Sequence, residues 1–306
     1  MWRRAIAVAG CAVLAAGVLA TSAQGAGAAQ SEACSARIGS VTAQGEHVIR
    51  GLKATNPPSL SAGSPAAKLY APGVVRLSSH FEDYPTSGGG TQRHGMVVIG
   101  DGLYSSGYLL DAGGNLPPGE PRLARIGGGW SNFTQLDWAT FDKPVGSGIV
   151  PRTELYALRN DGVLFRWHHT AAGWRSTGSY PGFASVKSMA VISKTQTYDT
   201  FIANTRGGAL YTIRIPTTSP MKPIVKPVRT STWQGFETLI AERCGQYGTL
   251  LLGIDKDTGN GHAYAVGHAN GTATVINGLG KVNGTFTDPH HFRLSVVSFY
   301  DWLNGE

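Results

Sequence analysis

The sequence predicts an all-β protein built from a unit that recurs about every 50 residues. Charged residues make up only 15% of the 306-residue chain, and 42 residues are glycine, about twice the usual share. Little charge with much glycine favours many short strands joined by tight turns. Beyond an apolar run at residues 5–20, the chain shows strand-and-turn patterns and no helical periodicity.

Four short apolar segments, such as residues 96–99, are each followed by a glycine turn and the start of a second strand. The turns are Asp101-Gly102, Asp161-Gly162, Gly207-Gly208 and Gly261-His262. A short strand, a glycine turn and another short strand are typical of a β-hairpin. We therefore predict four hairpins.

A second phrase precedes each hairpin: an aromatic or small residue, Phe three positions later, and Leu or Val after three more. It is clearest at residues 130–136, 180–186 and 233–239, and fainter copies lie near 74 and 286. The apolar anchors at 74, 133, 183, 236 and 286 are 59, 50, 53 and 50 residues apart. We expect the anchor aromatics Trp130, Phe133, Trp233 and Phe236 to fill the core between repeats.

Repeats of this length that contain several strands predict a β-propeller. The fifth repeat starts near residue 286, so its hairpin would be due beyond Glu306, whereas residues 34–56 contain strand-like segments that can complete it. We therefore expect a five-bladed β-propeller whose ring is closed by N- and C-terminal strands, as a single domain at residues 29–306. Closing the ring removes exposed sheet edges.

Residues 1–28 are predicted to be a cleaved signal peptide. Arg3 and Arg4 give a positive start, residues 5–20 are apolar, and Ala26-Gly27-Ala28 offers small residues for cleavage. Because the apolar run is shorter than the ~20 residues that span a bilayer, we expect no membrane span. The protein is thus expected to be secreted, either extracellular or associated with the cell wall.

Export bears on the cysteines and on the net charge. Cys34 and Cys244 are the cysteines outside the signal peptide, and in an oxidising compartment they most simply form one disulfide. The alternatives are two free thiols or pairing of Cys34 between molecules. Loss of Arg3 and Arg4 lowers the net charge from +7 to +5. No dense cationic cluster remains, so we expect no nucleic-acid partner.

Residues 123–133, which read Leu-Ala-Arg-Ile-Gly-Gly-Gly-Trp-Ser-Asn-Phe, and the upstream Asp101-Gly102-Leu103-Tyr104 resemble the blade signature of the tachylectin family. The close wording covers about residues 100–136, and later repeats match in spacing. The resemblance implies a five-bladed propeller lectin with one site per blade for N-acetylated hexosamines. Where the family has Asp-Asn-Trp, this chain has Glu120-Pro121-Arg122, so one aromatic that could stack on a sugar is missing.

The resemblance implies sites between blades, and glycans of a cell wall or cell surface as partners. The candidate carbohydrate-binding residues are Asp101, Tyr104, Arg122, Asn132, Trp167 and Trp174. Asp101 is also explained as a turn residue, and the two tryptophans as one half-exposed hairpin face. We expect no cofactor and no metal site.

Catalysis is not expected, and the enzyme class to exclude is a glycosidase. Such an enzyme needs two carboxyl groups that face one bond, ~5 to 10 Å apart. Asp137 and Glu242 are the best available pair, but the repeat scheme puts them at different levels of two non-adjacent blades. No nucleophile-elbow, zinc-protease or phosphate-loop motif is present. A secreted, non-catalytic lectin is therefore the leading interpretation. A scaffold for extracellular protein–protein contacts is the alternative, and a glycoside hydrolase comes third.

Overall fold

Strands joined by turns make up residues 33–64, 67–143 and 146–306, the part of the chain that the computed structural model describes. Within this part, the helical content is one 3-10 turn at Ser298–Tyr300. The all-β prediction is confirmed. The predicted signal peptide, residues 1–28, lies outside the described residues.

The strands are numbered in chain order and grouped into sheets. The first four are β1 (Ser35–Val41), β2 (Glu46–Lys53), β3 (Ser59–Leu60) and β4 (Ala67–Lys68). Sheet I contains β5 (Val75–Pro85), β6 (Thr91–Ile99), β7 (Gly102–Leu110) and β8 (Arg122–Gly127). Sheet II contains β9 (Phe133–Phe141), β10 (Arg152–Arg159), β11 (Leu164–Thr170) and β12 (Gly173–Tyr180). Sheet III contains β13 (Val186–Lys194), β14 (Tyr198–Thr205), β15 (Leu210–Pro216) and β16 (Ile224–Arg229). Sheet IV contains β17 (Thr238–Cys244), β18 (Gly248–Asp255), β19 (Asn260–Val266) and β20 (Ile276–Lys281), and the last strand is β21 (His290–Val296).

In sheets I to IV, consecutive strands pair antiparallel, as in the blades of a propeller. A further group, which we name sheet V, joins the two ends of the chain. Here β21 pairs antiparallel with β1, β1 pairs with β2, and β2 pairs with both β3 and β4. A short parallel pairing of β21 with β5, from Leu294↔Phe81 to Val296↔Asp83, merges sheets V and I into one nine-stranded sheet.

The first strands of the groups contact one another in a closed cycle. β5 contacts β9, β9 contacts β13, β13 contacts β17, β17 contacts β21, and β21 contacts β5. A separate cluster of buried apolar side chains fills each of the five seams between neighbouring sheets. The anchor aromatics Trp130, Phe133, Trp233 and Phe236 are all buried in these seams, as predicted.

Two of the four predicted glycine turns, Asp161-Gly162 and Gly207-Gly208, lie in the expected place. The first is displaced by one residue to Gly100-Asp101, because Gly102 already begins β7, and the fourth is wrong. The turn between β18 and β19 is formed by residues 256–259, where Gly259 has a φ of +67°. The Asp255 carboxylate accepts the N–H of Thr258 (3.1 Å) and closes the turn before Gly261 is reached. Gly261 instead lies within β19. The Phe286 ring packs so closely on it that a Cβ would lie 2.3 Å away, so this strand position needs a glycine.

The predicted disulfide is present and joins Cys34 to Cys244, with 5.3 Å between their Cα atoms. Cys34 immediately precedes β1, and Cys244 ends β17. The bond therefore links sheet V to sheet IV, two sheets that share a seam.

Candidate functional site

Asp101 lies in the turn between β6 and β7, and its carboxylate ties this turn to the loop before β9. It accepts the backbone N–H groups of Gly129 (2.8 Å) and Ser131 (3.0 Å) and the hydroxyl of Ser131. The Ser131 hydroxyl first, and then these backbone N–H groups, lower the pKa of Asp101 to about 2. Asp101 thus holds the shape of the loop at residues 128–132.

That loop lies against aromatic side chains of sheet II. The ring of Trp130 is 5.4 Å from that of Trp167 and 4.5 Å from that of Phe133, measured between ring centroids. Trp130 and Phe133 are buried, whereas Trp167 is half-buried. The loop that Asp101 holds therefore places Trp130 against Trp167 in the seam between sheets I and II.

Four aromatic rings, which we name the aromatic row, continue along this seam: Phe165, Trp167, His169 and Trp174. The first three alternate on one face of β11, because side chains two apart on a strand point the same way. Phe165 stacks on Trp167 at 5.7 Å, and Trp174 of β12 lies opposite His169 with its ring 4.9 Å away. All four side chains of the aromatic row are at least partly exposed.

A displaced β-bulge sets the aromatic row apart from the other sheets. Between the third and fourth strands, the bulge directly follows the first buried apolar residue in sheets I, III and IV: Leu103, Leu210 and Ala263. In sheet II that residue is Leu164, but the bulge lies two residues later, between Arg166 and Trp167. Bulges bend a strand and re-aim its side chains, and here the bulge adjoins Trp167.

The remaining predicted residues are not all brought to this seam. Tyr104 packs into the apolar cluster between sheets V and I, which is the opposite face of sheet I. Arg122 begins β8 five residues before Gly127, about 17 Å along the strand from the end near Asp101. Its side chain is 83% exposed and forms an ion pair with Glu120 (3.3 Å). Asn132 is exposed, and its backbone carbonyl accepts the N–H of Asn160 (2.8 Å).

A channel of about 120 Å³ lies where the five first strands meet, and residues from all five line it. His80 of β5 lines this channel, and its Nδ1 lies 2.6 Å from the Asp137 carboxylate of β9. The imidazole stacks on Trp138 at 4.8 Å, and Trp138 Nε1 donates to the His80 carbonyl (3.1 Å). Glu82 lies fully buried on the other side, with Oε1 3.8 Å from His80 Nε2.

The neighbouring groups determine the protonation of His80 and Glu82. Burial by itself would lower the pKa of His80, but the charge of Asp137 and its hydrogen bond, together with Glu82, raise it. Burial would raise the pKa of Glu82, but the hydrogen bond and charge of His80, with Lys194 nearby, lower it. The arrangement therefore favours a protonated imidazole held between two carboxylates.

Asp137 and Glu242 line different cavities. Asp137 faces the channel, whereas Glu242 faces a second cavity and is held by the Arg293 guanidinium through Nε (3.0 Å) and Nη2 (3.2 Å). The two carboxylates therefore do not flank a common space in which one glycosidic bond could lie.

Residues after β21 form a site component that the sequence analysis missed. The segment at residues 297–306 crosses to sheet III, where the Lys194 N–H donates to the Leu303 carbonyl (3.0 Å). Asp301 forms ion pairs with Lys194 (2.5 Å) and with Arg293. His80 and Asp137 lie 57 residues apart, and the sequence holds no signal for their contact or for the position of this segment.

Two other features are not found in the described part of the chain. Within it, no group of three or more His, Cys, Asp or Glu side chains is arranged to hold a metal ion. It also contains no helix long and apolar enough to cross a membrane.

The sequence matches no protein-family profile and no curated protein. Solved structures with a similar course of the chain include the catalytic domain of the GH62 α-L-arabinofuranosidase of Coprinopsis cinerea. It is 12% identical, the match covers 73% of this chain and 74% of that one, and the TM-score is 0.43. The Aleuria aurantia lectin in complex with Fucα1-6GlcNAc is 15% identical over 80% of this chain and 78% of its own, with a TM-score of 0.41. The WD40 domain of SCAP from fission yeast is 7% identical over 78% and 54%, with a TM-score of 0.34. Likenesses at this level carry no argument about function.

Proposed function

We propose that this chain is a secreted, five-bladed β-propeller that binds glycans and is not an enzyme. Five blades are supported by the cycle of contacts among β5, β9, β13, β17 and β21, by their shared channel, and by the five apolar seams. In this proposal sheet V is the fifth blade, with β21 innermost and the N-terminal strands outside it.

The aromatic row carries the proposal of glycan binding. Pyranose rings have apolar C–H faces that pack on aromatic faces, and partly exposed tryptophans supply such faces at little entropic cost. The loop at residues 128–132 lies beside Trp167 and offers the exposed Asn132 side chain and backbone groups for sugar hydroxyls. In this proposal Asp101 shapes that loop and does not contact the sugar, because its hydrogen bonds are already made within the protein.

The proposal concerns the seam between sheets I and II, where the aromatic row lies. Counted from the first buried apolar side chain of each third strand, the counterparts of Trp167 are Ser106, Ile213 and Val266, all of them buried. They present no aromatic surface to a ligand. This departs from one site per blade, which the resemblance to tachylectins implies, although that resemblance still makes N-acetylglucosamine and N-acetylgalactosamine the first ligands to test.

The absence of catalysis is supported by the placement of the carboxylates. Asp137 and Glu242 face separate cavities, and Arg293 holds Glu242 as a partner in an ion pair. Hydrolysis of glycosides by the purified protein, lost in Asp137→Asn, would replace the lectin proposal with the glycosidase alternative.

A glycan array probed with the mature protein, followed by titration of the best ligand, tests the lectin proposal. We expect Trp174→Ala to weaken binding at least tenfold, because the stacking face is removed. Val225→Ala is the matched control: Val225 is the second residue of β16, as Trp174 is of β12, and it is 47% exposed. Binding should be unchanged in this control.

Two results would overturn the lectin proposal. The first is an unchanged affinity of both the Trp174→Ala and the Trp167→Ala variants for the best ligand. The second is an array without any bound glycan while affinity capture recovers one specific protein, which would favour the scaffold alternative.

A further inference from the structure

A second cavity, of about 290 Å³, lies between sheets IV and V, away from the aromatic row. The lining side chains that matter here are Arg37 of β1, Glu242 and Arg243 of β17, and Tyr300 and Trp302 of the segment after β21. Its size is close to the lower end of ligand pockets, which run from roughly 300 to 1,000 Å³, so it suits a single ring.

The charged groups around this cavity leave cations in excess. Arg293 and the backbone N–H of Arg243 (2.9 Å) already hold Glu242, and Lys194 and Arg293 already hold Asp301. The Arg243 side chain donates through Nε to the Gly245 carbonyl (2.8 Å), and no carboxylate in the described residues forms an ion pair with it.

Arg37 contributes further positive charge at the opposite wall. Its carboxylate partner, Asp83 (2.5 Å), also pairs with Arg93 (2.7 Å), so two guanidinium groups share one carboxylate. The Arg37 side chain is 40% exposed. An anionic group in the cavity would therefore meet an uncompensated field from two sides.

The aromatic part of the wall supplies an apolar surface. Tyr300 is 66% exposed, although most large apolar side chains of the protein are buried. The Lys143 ammonium group lies over the ring of Trp302, 4.0 Å from its centroid. The Trp302 indole N–H is buried and has no hydrogen-bond partner within the described residues, which is uncommon for a buried donor.

We propose that this cavity binds a sugar residue that carries a carboxylate, with the ring on Tyr300 and Trp302 and the carboxylate on Arg243. Guanidinium groups bind carboxylates through two parallel hydrogen bonds, which gives both strength and orientation. The site goes beyond the proposed lectin function: it lies in another seam and selects for charge.

Titration with D-glucuronate and with neutral D-glucose, followed by ligand-observed NMR and calorimetry, tests the proposal. We use the Trp174→Ala protein, so that the aromatic row does not contribute. Glucuronate should bind at least tenfold more tightly than glucose, and its affinity should fall as salt is raised because the contact is between charges. A second titration compares N-acetylmuramate with N-acetylglucosamine. It shows whether the site accepts a carboxylate on an ether side chain as well as one on the ring itself.

Arg243→Ala should abolish the preference for the acidic sugar over the neutral one. Tyr300→Ala should weaken the binding of acidic and neutral sugars alike. The controls are Arg175→Ala on β12 and Tyr247→Ala after β17, which remove exposed side chains of the same types elsewhere. Equal affinity for acid and neutral sugar, or an unchanged preference in Arg243→Ala, would overturn this proposal. Loss of binding to the array in Trp174→Ala would bear on the lectin proposal alone.

Discussion

Asp101 is an exposed carboxylate that organises the loop at residues 128–132. Its partners, Gly129 and Ser131, precede the anchor Phe133, so the hairpin turn of sheet I sets the path by which the chain enters sheet II. The turn and the repeat anchor, two features recognised separately in the sequence, are thus one unit in the structure.

Asp101→Asn should lower the melting temperature at neutral pH and reduce the acid sensitivity of the protein. The pKa of Asp101 is about 2 in the folded state, below its ordinary value of 3.8. The stabilisation is therefore fully present above about pH 4 and is lost as the pH falls towards 2. Calorimetry from pH 7 to pH 2 measures both effects.

Asp257→Asn is the control for Asp101→Asn, because Asp257 is an exposed residue of another hairpin turn. It should melt like the unchanged protein at every pH. Equal pH profiles for Asp101→Asn and the unchanged protein would contradict the role given to this carboxylate.

At the scale of the strand, the bulge of sheet II connects backbone geometry to the aromatic row. Thr177 is the extra residue of β12, between Gly178, which pairs with Arg166, and Ser176, which pairs with Trp167. Gly178 has a φ of +147°, a conformation that residues with a side chain rarely adopt. A Cβ there would also lie 3.1 Å from the Cβ of Met221.

Gly178→Ala should destabilise the fold by about 1–3 kcal/mol, the usual cost of a strained backbone, and should weaken glycan binding by shifting Trp167. Urea unfolding and ligand titration measure the two effects. Gly127→Ala in β8 is the control, since a Cβ there meets nothing within 4 Å. A Gly178→Ala protein with unchanged stability and affinity would show that the bulge does not position the row.

At the scale of the whole molecule, the two ends of the described chain complete one another. β21 supplies the strand on which β1 pairs antiparallel and β5 pairs parallel. The disulfide holds the start of β1 against the end of β17, and Asp301 forms ion pairs with the buried Lys194 and Arg293. The C-terminal residues therefore contact sheets V, I and III.

Deletion of residues 288–306 should unfold the protein, because β1 and β5 would lose their partner strand and expose their edges. Circular dichroism and thermal melting measure this. The contrasting variant, Cys34→Ser with Cys244→Ser, keeps every strand and should remain folded with about 2–5 kcal/mol less stability. A truncated protein that melts like the full chain would contradict closure of the ring by shared strands.

The sequence by itself determined the all-β class, two of the four hairpin turns, the buried anchor aromatics and the Cys34–Cys244 pairing. These features depend on local periodicity, on turn chemistry and on a count of two cysteines, which a linear pattern contains. Gly261 is misplaced because Gly259 and Gly261 both fit one turn in the sequence. The Asp255–Thr258 hydrogen bond and the packing of Phe286 on Gly261 distinguish them in the structure.

Tertiary structure decided which predicted site residues meet. Tyr104 and Trp167 lie on faces that belong to different seams, and the bulge beside Trp167 depends on how β11 pairs with β12. The contact of His80 with Asp137 joins residues 57 positions apart, and the cavity beside Arg243 exists because the chain returns after β21. Which sheet faces meet is set by packing across the seams, and alternation along a strand assigns a side chain to a face without stating what that face will contact.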